Sequence, residues 1–207
     1  MNRIAVEKLA KTDKVLGHLI KSIGRIHFKA QKNLSPYQAL VESVIYQQLT
    51  GKAAETILGR VKALYPKKSF PDPEGLLKTT DKKLRAAGLS RAKTAYLKDI
   101  AAKTISGIVP TSRSISKMED AEILERLTTI HGVGTWTVEM LLIFKLGRPD
   151  ILPVTDYGIQ KGFAHTFKRK NLPTPKELFE QGKKWRPYRT IAALYLWRAT
   201  DQIKSKL

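Results

Sequence analysis

The chain contains no cysteine among its 207 residues. Disulfides, thiolate zinc centres and cysteine-ligated iron–sulfur clusters are thereby excluded. Long apolar runs are missing too. No stretch approaches the roughly 20 residues that cross a bilayer. The opening segment, MNRIAVEKLAKTDKVLGHLIKSIG, is broken by Lys or Asp every few residues and lacks the apolar core of a secretory signal. Acidic residues are scarce: 18 Asp plus Glu face 38 Lys plus Arg, a formal net charge of +20. The four histidines, His18, His27, His131 and His165, show no His-x-Glu or His-x-x-x-His spacing, so no zinc site is expected. These absences predict an intracellular protein without a membrane partner. Its charge calls for a polyanion, with nucleic acid first and an anionic membrane or simple solubility as the alternatives.

No convincing alternation of apolar and polar residues marks a strand; helical periodicity dominates, and the expected fold class is all-α. An amphipathic helix is expected over about 4–23, with Ile4, Leu9, Val15, Leu16, Leu19 and Ile20 turned inward. Ser35-Pro36-Tyr37-Gln38 reads as a capping box with proline at the first helical position. The helix it opens turns Ala39, Leu40, Val44, Ile45 and Leu49 inward. Further helices are expected at about 52–65, after Pro73, from Asp81 to Gly88, and at about 91–106. A polar loop then leads to helices at about 119–129 and 135–146. After Pro153 come one near Asp156, one at about 175–183 and one at about 188–201.

Two motifs carry chemistry. In LERLTTIHGVGTWTVEMLLIFKLG, residues 124–147, two apolar helices flank the tight turn His131-Gly132-Val133-Gly134. The glycines leave backbone amides open at the start of the helix beginning at Thr135, where a phosphate can sit. A plain αα-hairpin is the competing account. In LPVTDYGIQKGF, residues 152–163, Asp156 follows an extended segment and precedes an amphipathic helix. Alone, it reads first as a helix cap.

The pairing of IHGVGTWTVEMLLIF with PVTDYGIQKG resembles the helix-hairpin-helix plus downstream Asp signature of the DNA glycosylase superfamily. SPYQALVESVIYQQLTGKAA and WRPYRTIAALYLW resemble segments of its 3-methyladenine DNA glycosylase II (AlkA-like) family. The similarity runs from about residue 35 to 200, in order. It implies two helical lobes with a DNA-binding cleft between them. One lobe would span 34–147 and end in the hairpin at about 119–146; the other would comprise 1–33 plus 148–207 and carry the catalytic Asp. The extra β-rich domain of some members is not expected.

Position by position, the resemblance makes Asp156 catalytic and puts Trp136, Tyr157 and Trp185 around the base. It puts Gln47, Gln48, Leu89, His131, Gly132, Val133, Gly134 and Thr135 against DNA, with Leu89 near the wedge that enters the minor groove. The backbone carbonyls of Thr128, Ile130 and Val133 match positions that hold a monovalent cation, Na+ or K+; no other cofactor is required. Strand-nicking members place a lysine two residues after the second hairpin glycine, to form a Schiff base. Trp136 stands there instead, so simple hydrolysis of the N-glycosidic bond is expected. The substrate would be double-stranded DNA holding alkylated, cationic purines, and the enzyme would act as a monomer in a prokaryotic cytoplasm or a nucleus. A non-catalytic helix-hairpin-helix protein that only grips phosphate is the alternative of a different class.

Overall fold

Side-chain caps start most of the helices. Ser35 Oγ accepts the Gln38 amide at 3.1 Å and the Gln38 side chain accepts the Ser35 amide at 2.9 Å, which closes the expected capping box. Thr50, Asp72, Thr80, Ser90 and Thr111 accept first-turn amides in the same way. In the computed structural model, which describes residues 3–204, every regular element is helical and no strand occurs among those residues. In chain order these are α1 (Arg3–Thr12), α2 (Lys14–Ile23), α3 (Pro36–Tyr46), α4 (Gly51–Ala63), α5 (Pro73–Lys78), α6 (Asp81–Ala86) and α7 (Arg91–Ile105). There follow α8 (Ser112–Ile115), α9 (Asp120–Leu127), α10 (Thr135–Met140), α11 (Tyr157–Thr166), α12 (Pro175–Gly182) and α13 (Arg189–Lys204). A π-helical stretch, Leu141–Leu146, continues α10, and α8 lies in what the sequence presents as a polar loop.

The single helix expected over 4–23 is two. Asp13 breaks it: its Oδ1 accepts the amides of Val15 and Leu16, both at 3.1 Å, and so caps α2. Its Oδ2 accepts from Trp185 Nε1 at 2.9 Å and Gln181 Nε2 at 3.1 Å, and pairs with Lys184. Burial pushes the Asp13 pKa up, but these donors outweigh it and hold the carboxyl below its ordinary value. Because the break shifts the helical phase, Ile4 and Val15 are exposed rather than core.

The chain divides into two compact units. One takes the residues to Ala30 and from Gly147 onward; its core gathers Leu9, Leu16, Ile159, Phe163, Trp185, Tyr195 and Leu196 from α1, α2 and α11–α13. Here α11 and α13 pack almost backbone to backbone. A Cβ on Gly162 would fall 2.0 Å from the Leu196 carbonyl oxygen, and Thr200 Oγ1 donates to the Gly158 carbonyl at 2.6 Å. The other unit, Gln31–Leu146, packs α3 against α4, α7, α10 and the π-helical stretch, and α5 and α6 against α7. Leu40, Val44, Leu97, Ile100, Ile123 and Val138 lie in its core.

Candidate nucleic-acid interface and active site

The turn joining α9 to α10 is built by its neighbours as much as by its glycines. Gly132 has φ +82°, and a Cβ there would sit 2.1 Å from the Tyr96 ring. No other residue fits that conformation and that contact together. His131 stacks edge-on against the same Tyr96 ring at 4.7 Å, and its amide donates to Asp99 Oδ2 at 2.8 Å. From α3, Gln47 Nε2 donates to the Gly132 carbonyl at 3.0 Å and to Thr137 Oγ1 at 2.9 Å. Lys93 Nζ in turn donates to the carbonyls of Ile45 and Gln47, at 2.8 and 2.6 Å, and burial lowers its pKa. Gly134 differs from Gly132: its φ is −93° and nothing lies within 4 Å of where a Cβ would be. Its small size is therefore not demanded by packing; it leaves the start of α10 open, with His131, Gly134 and Thr135 exposed. Val133 is buried, so its side chain does not reach a ligand. A shallow hollow of about 690 Å³ runs along the turn, with Lys103 on its wall.

Asp156 is placed by the other unit. The approach to it is pinned to α13: Arg189 forms a two-armed ion pair with Asp150, and Thr190 Oγ1 bridges the Arg148 carbonyl at 2.7 Å and the Ile151 amide at 3.0 Å. The half-buried Asp156 then caps α11, its Oδ1 accepting the Ile159 amide at 2.8 Å. The same oxygen accepts Trp197 Nε1 from α13, also at 2.8 Å. Two hydrogen bonds on one oxygen fix the direction of the carboxylate. The site thus offers a positioned negative charge bordered by an indole, with Tyr157, 65% exposed, on the adjoining turn.

The expected aromatic walls part company. Trp136 is half-buried and lines a cavity of about 370 Å³ together with Tyr46, Met140 and Phe144. That is a volume in the range of small-molecule pockets. Trp185, expected at the base pocket, is instead a core residue with no exposed surface, packed among Phe163 and Phe167 with its N–H spent on Asp13. A ring with no open face cannot stack on a base. Trp197, twelve residues on, is the tryptophan that meets Asp156.

A family model described as HhH-GPD superfamily base excision DNA repair protein matches residues 41–187, a span that contains the hairpin, Trp136 and Asp156. The chain belongs to the HhH-GPD superfamily. DNA-3-methyladenine glycosylase 1 of Schizosaccharomyces pombe is 37% identical over 93% of this chain and 85% of its own length. The solved structure of a Schizosaccharomyces pombe 3-methyladenine DNA glycosylase in complex with abasic DNA matches with a TM-score of 0.91 at 37% identity, covering 98% of this chain and 97% of that one. A DNA-3-methyladenine glycosidase from Bacillus halodurans matches with a TM-score of 0.81 at 35% identity, over 98% and 91% of the two chains.

For this HhH-GPD protein the expected wedge residue also needs correction. Leu89 is only 4% exposed. It closes a Schellman motif at the end of α6: the Leu89 amide donates to the Leu84 carbonyl and the Gly88 amide to that of Arg85. The apolar residue at that position of the motif is normally buried against the helix it ends. Leu49, expected in the core, is 40% exposed instead. It follows Gln48, an exposed residue held at φ +55°, a conformation that costs a non-glycine residue about 1 kcal/mol. Such strain turns the chain out of α3 and presents Leu49 at the surface beside the paired glutamines.

Proposed function

We propose that this chain is a monofunctional DNA glycosylase that flips alkylated, cationic purines such as 3-methyladenine and 7-methylguanine out of duplex DNA and hydrolyses their N-glycosidic bond, leaving an abasic site. The observation that carries the proposal is Asp156, whose carboxylate is aimed by the Ile159 amide and the Trp197 indole. An N-alkylated purine is already a good leaving group and needs little acid catalysis. What the reaction lacks is negative charge near the sugar as oxocarbenium character grows, and a base for the attacking water. One fixed carboxylate can serve both needs. A positive purine also favours an aromatic π face, and Trp136 offers one at its cavity. The target atom is out of reach inside the stack, so the base must first be extruded. With Trp136 in the place of a Schiff-base lysine, water is the nucleophile.

On the DNA side, the open start of α10 is the phosphate grip, Gln48 faces the duplex, and Leu49 is the wedge that fills the vacated stack. Gln47 acts through the hairpin it clamps. The turn also suits a monovalent cation: the Ile130 carbonyl accepts the Val133 amide at 3.0 Å, and a carbonyl oxygen carries a second lone pair. Thr128, Ile130 and Val133 would hold Na+ or K+, which would supply positive charge toward a DNA phosphate. The protein would act as a monomer on cellular DNA, in a prokaryotic cytoplasm or a nucleus.

The test is a panel of duplexes, each with one defined lesion, incubated with protein and then heated in alkali. Strand breaks after alkali, and none before it, are expected for the alkylated purines. Borohydride should trap no protein–DNA adduct. Binding without any base release would favour the non-catalytic alternative, and an efficient adduct would assign the chemistry to a lysine. A second expectation concerns the wedge: Leu49→Ala should slow excision by about 10-fold or more, the scale of about 1.4 kcal/mol or more of lost stacking replacement. Leu89→Ala should instead lower the melting temperature, as a buried leucine truncation costs about 2–5 kcal/mol. The reverse pattern would restore Leu89 as the wedge.

A further inference from the structure

The cavity beside Trp136 is walled mainly by rings and aliphatic side chains, yet it holds one carboxylate. Glu42 stands on α3 one turn before Tyr46, and its side chain is only 21% exposed. Lys62 Nζ, reaching from α4, donates to its Oε1 at 3.0 Å while lying over the Phe70 ring. Glu42 Oε2 has no hydrogen-bond partner among the described residues. Lys145 also lines the cavity, but its ammonium donates to the Lys32 carbonyl at 2.9 Å, and burial, with the charge of Lys32, lowers its pKa. Tyr46 and Phe144 each leave more than a third of their surface open.

A carboxylate oxygen that no protein donor takes is an acceptor open to a donor or a cation. Open aromatic faces around it suit a flat ring. A flat, positively charged ring with N–H groups on its edge satisfies all three demands together. We propose that Glu42 is the specificity-determining residue of this pocket: its Oε2 accepts an N–H from the edge of the flipped base, and its charge selects cationic N-alkylated purines over neutral lesions. The inference rests on the glycosylase reading above and names what that reading leaves open, the group that recognises the charge.

The test compares single-turnover release of 7-methylguanine, which is cationic, with that of hypoxanthine, which is neutral and keeps a ring N–H. The wild type, Glu42→Gln and Lys62→Met are used, each with its melting temperature and its affinity for abasic duplex. Glu42→Gln keeps an acceptor and removes the charge, so 7-methylguanine release should fall about 10–100-fold while hypoxanthine release, whatever its starting rate, changes less than about 3-fold. Lys62→Met breaks the same ion pair from behind and should leave 7-methylguanine release at or above the wild-type rate. Unchanged 7-methylguanine release in Glu42→Gln, an equal fall on both lesions, or an equal fall in Lys62→Met would overturn the assignment and leave Glu42 a structural ion-pair partner. A wild type that releases no base from any lesion would overturn the glycosylase reading and this inference with it.

Discussion

Asp156→Asn should lower single-turnover base excision by about 10²–10³-fold, the scale of losing one electrostatic stabiliser of a transition state. The geometry makes this substitution unusually clean. Two hydrogen bonds to the carboxylate fall on Oδ1, from the Ile159 amide and from Trp197 Nε1, each at 2.8 Å. An amide oxygen in the same place accepts both, so the cap of α11 and the set of the indole survive while the charge is lost. The melting temperature should stay within roughly 2 °C of wild type, since even 1 kcal/mol moves it only about 2–4 °C in a chain of this size. Asp156→Ala separates the two roles in the other direction: it removes the cap, which costs about 1 kcal/mol, and leaves the Trp197 N–H without this acceptor. If Asp156 were only a cap, Asn would be benign in both assays and Ala would lower stability with excision largely intact. Near-normal excision by the Asn variant removes Asp156 from the mechanism.

What the sequence could convey about this site was whatever is local. The Ser35-Pro36-x-Gln38 capping box, the Gly-x-Gly turn and the Asp at the head of α11 are all decided within four residues, and each is read directly from the chain. The corrections at Asp13 and at Trp185 come from partners far away in sequence. Asp13 looks like one more polar residue in a lysine-rich amphipathic helix; its place as a buried cap depends on Trp185, 172 residues on. Trp185 and Trp197 are indistinguishable as pocket candidates by composition. Which one reaches Asp156 is settled by the approach of α11 to α13, and the signal for it was present in the pair Gly158 and Gly162, four residues apart on the helix that Asp156 starts. Gly162 admits the Leu196 backbone, and Leu196 precedes Trp197. The burial of Leu89 was likewise legible in Ala-Ala-Gly-Leu, a Schellman ending that buries its last residue. Glu42 gave no signal: a lone glutamate on an amphipathic helix reads as surface, and only the cavity formed by α3, α10 and the stretch that follows gives it neighbours.

Raising salt from 50 to 200 mM should weaken binding to undamaged duplex by about 10³–10⁵-fold, provided that roughly 6–10 phosphates are neutralised. A chain with a formal net charge of +20 meets that condition, but charge alone does not say where the grip lies. The two hairpin glycines do. Gly132 cannot be changed without breaking the turn, because any side chain there meets the Tyr96 ring and a φ of +82°. Gly132→Ala should therefore destabilise the fold by about 2 kcal/mol or more and cannot isolate binding. Gly134 can be changed, since its φ of −93° suits any residue and the space around its Cβ is open. Gly134→Leu should keep the melting temperature within roughly 2 °C while shielding the amides at the start of α10, weakening binding to every duplex about 10-fold or more, the worth of a charge-assisted contact. The steep salt response should shrink by about the share of one phosphate. Wild-type affinity and salt slope in Gly134→Leu would move the phosphate grip away from the hairpin, and a flat salt response in the wild type would sink the assignment of DNA as the partner.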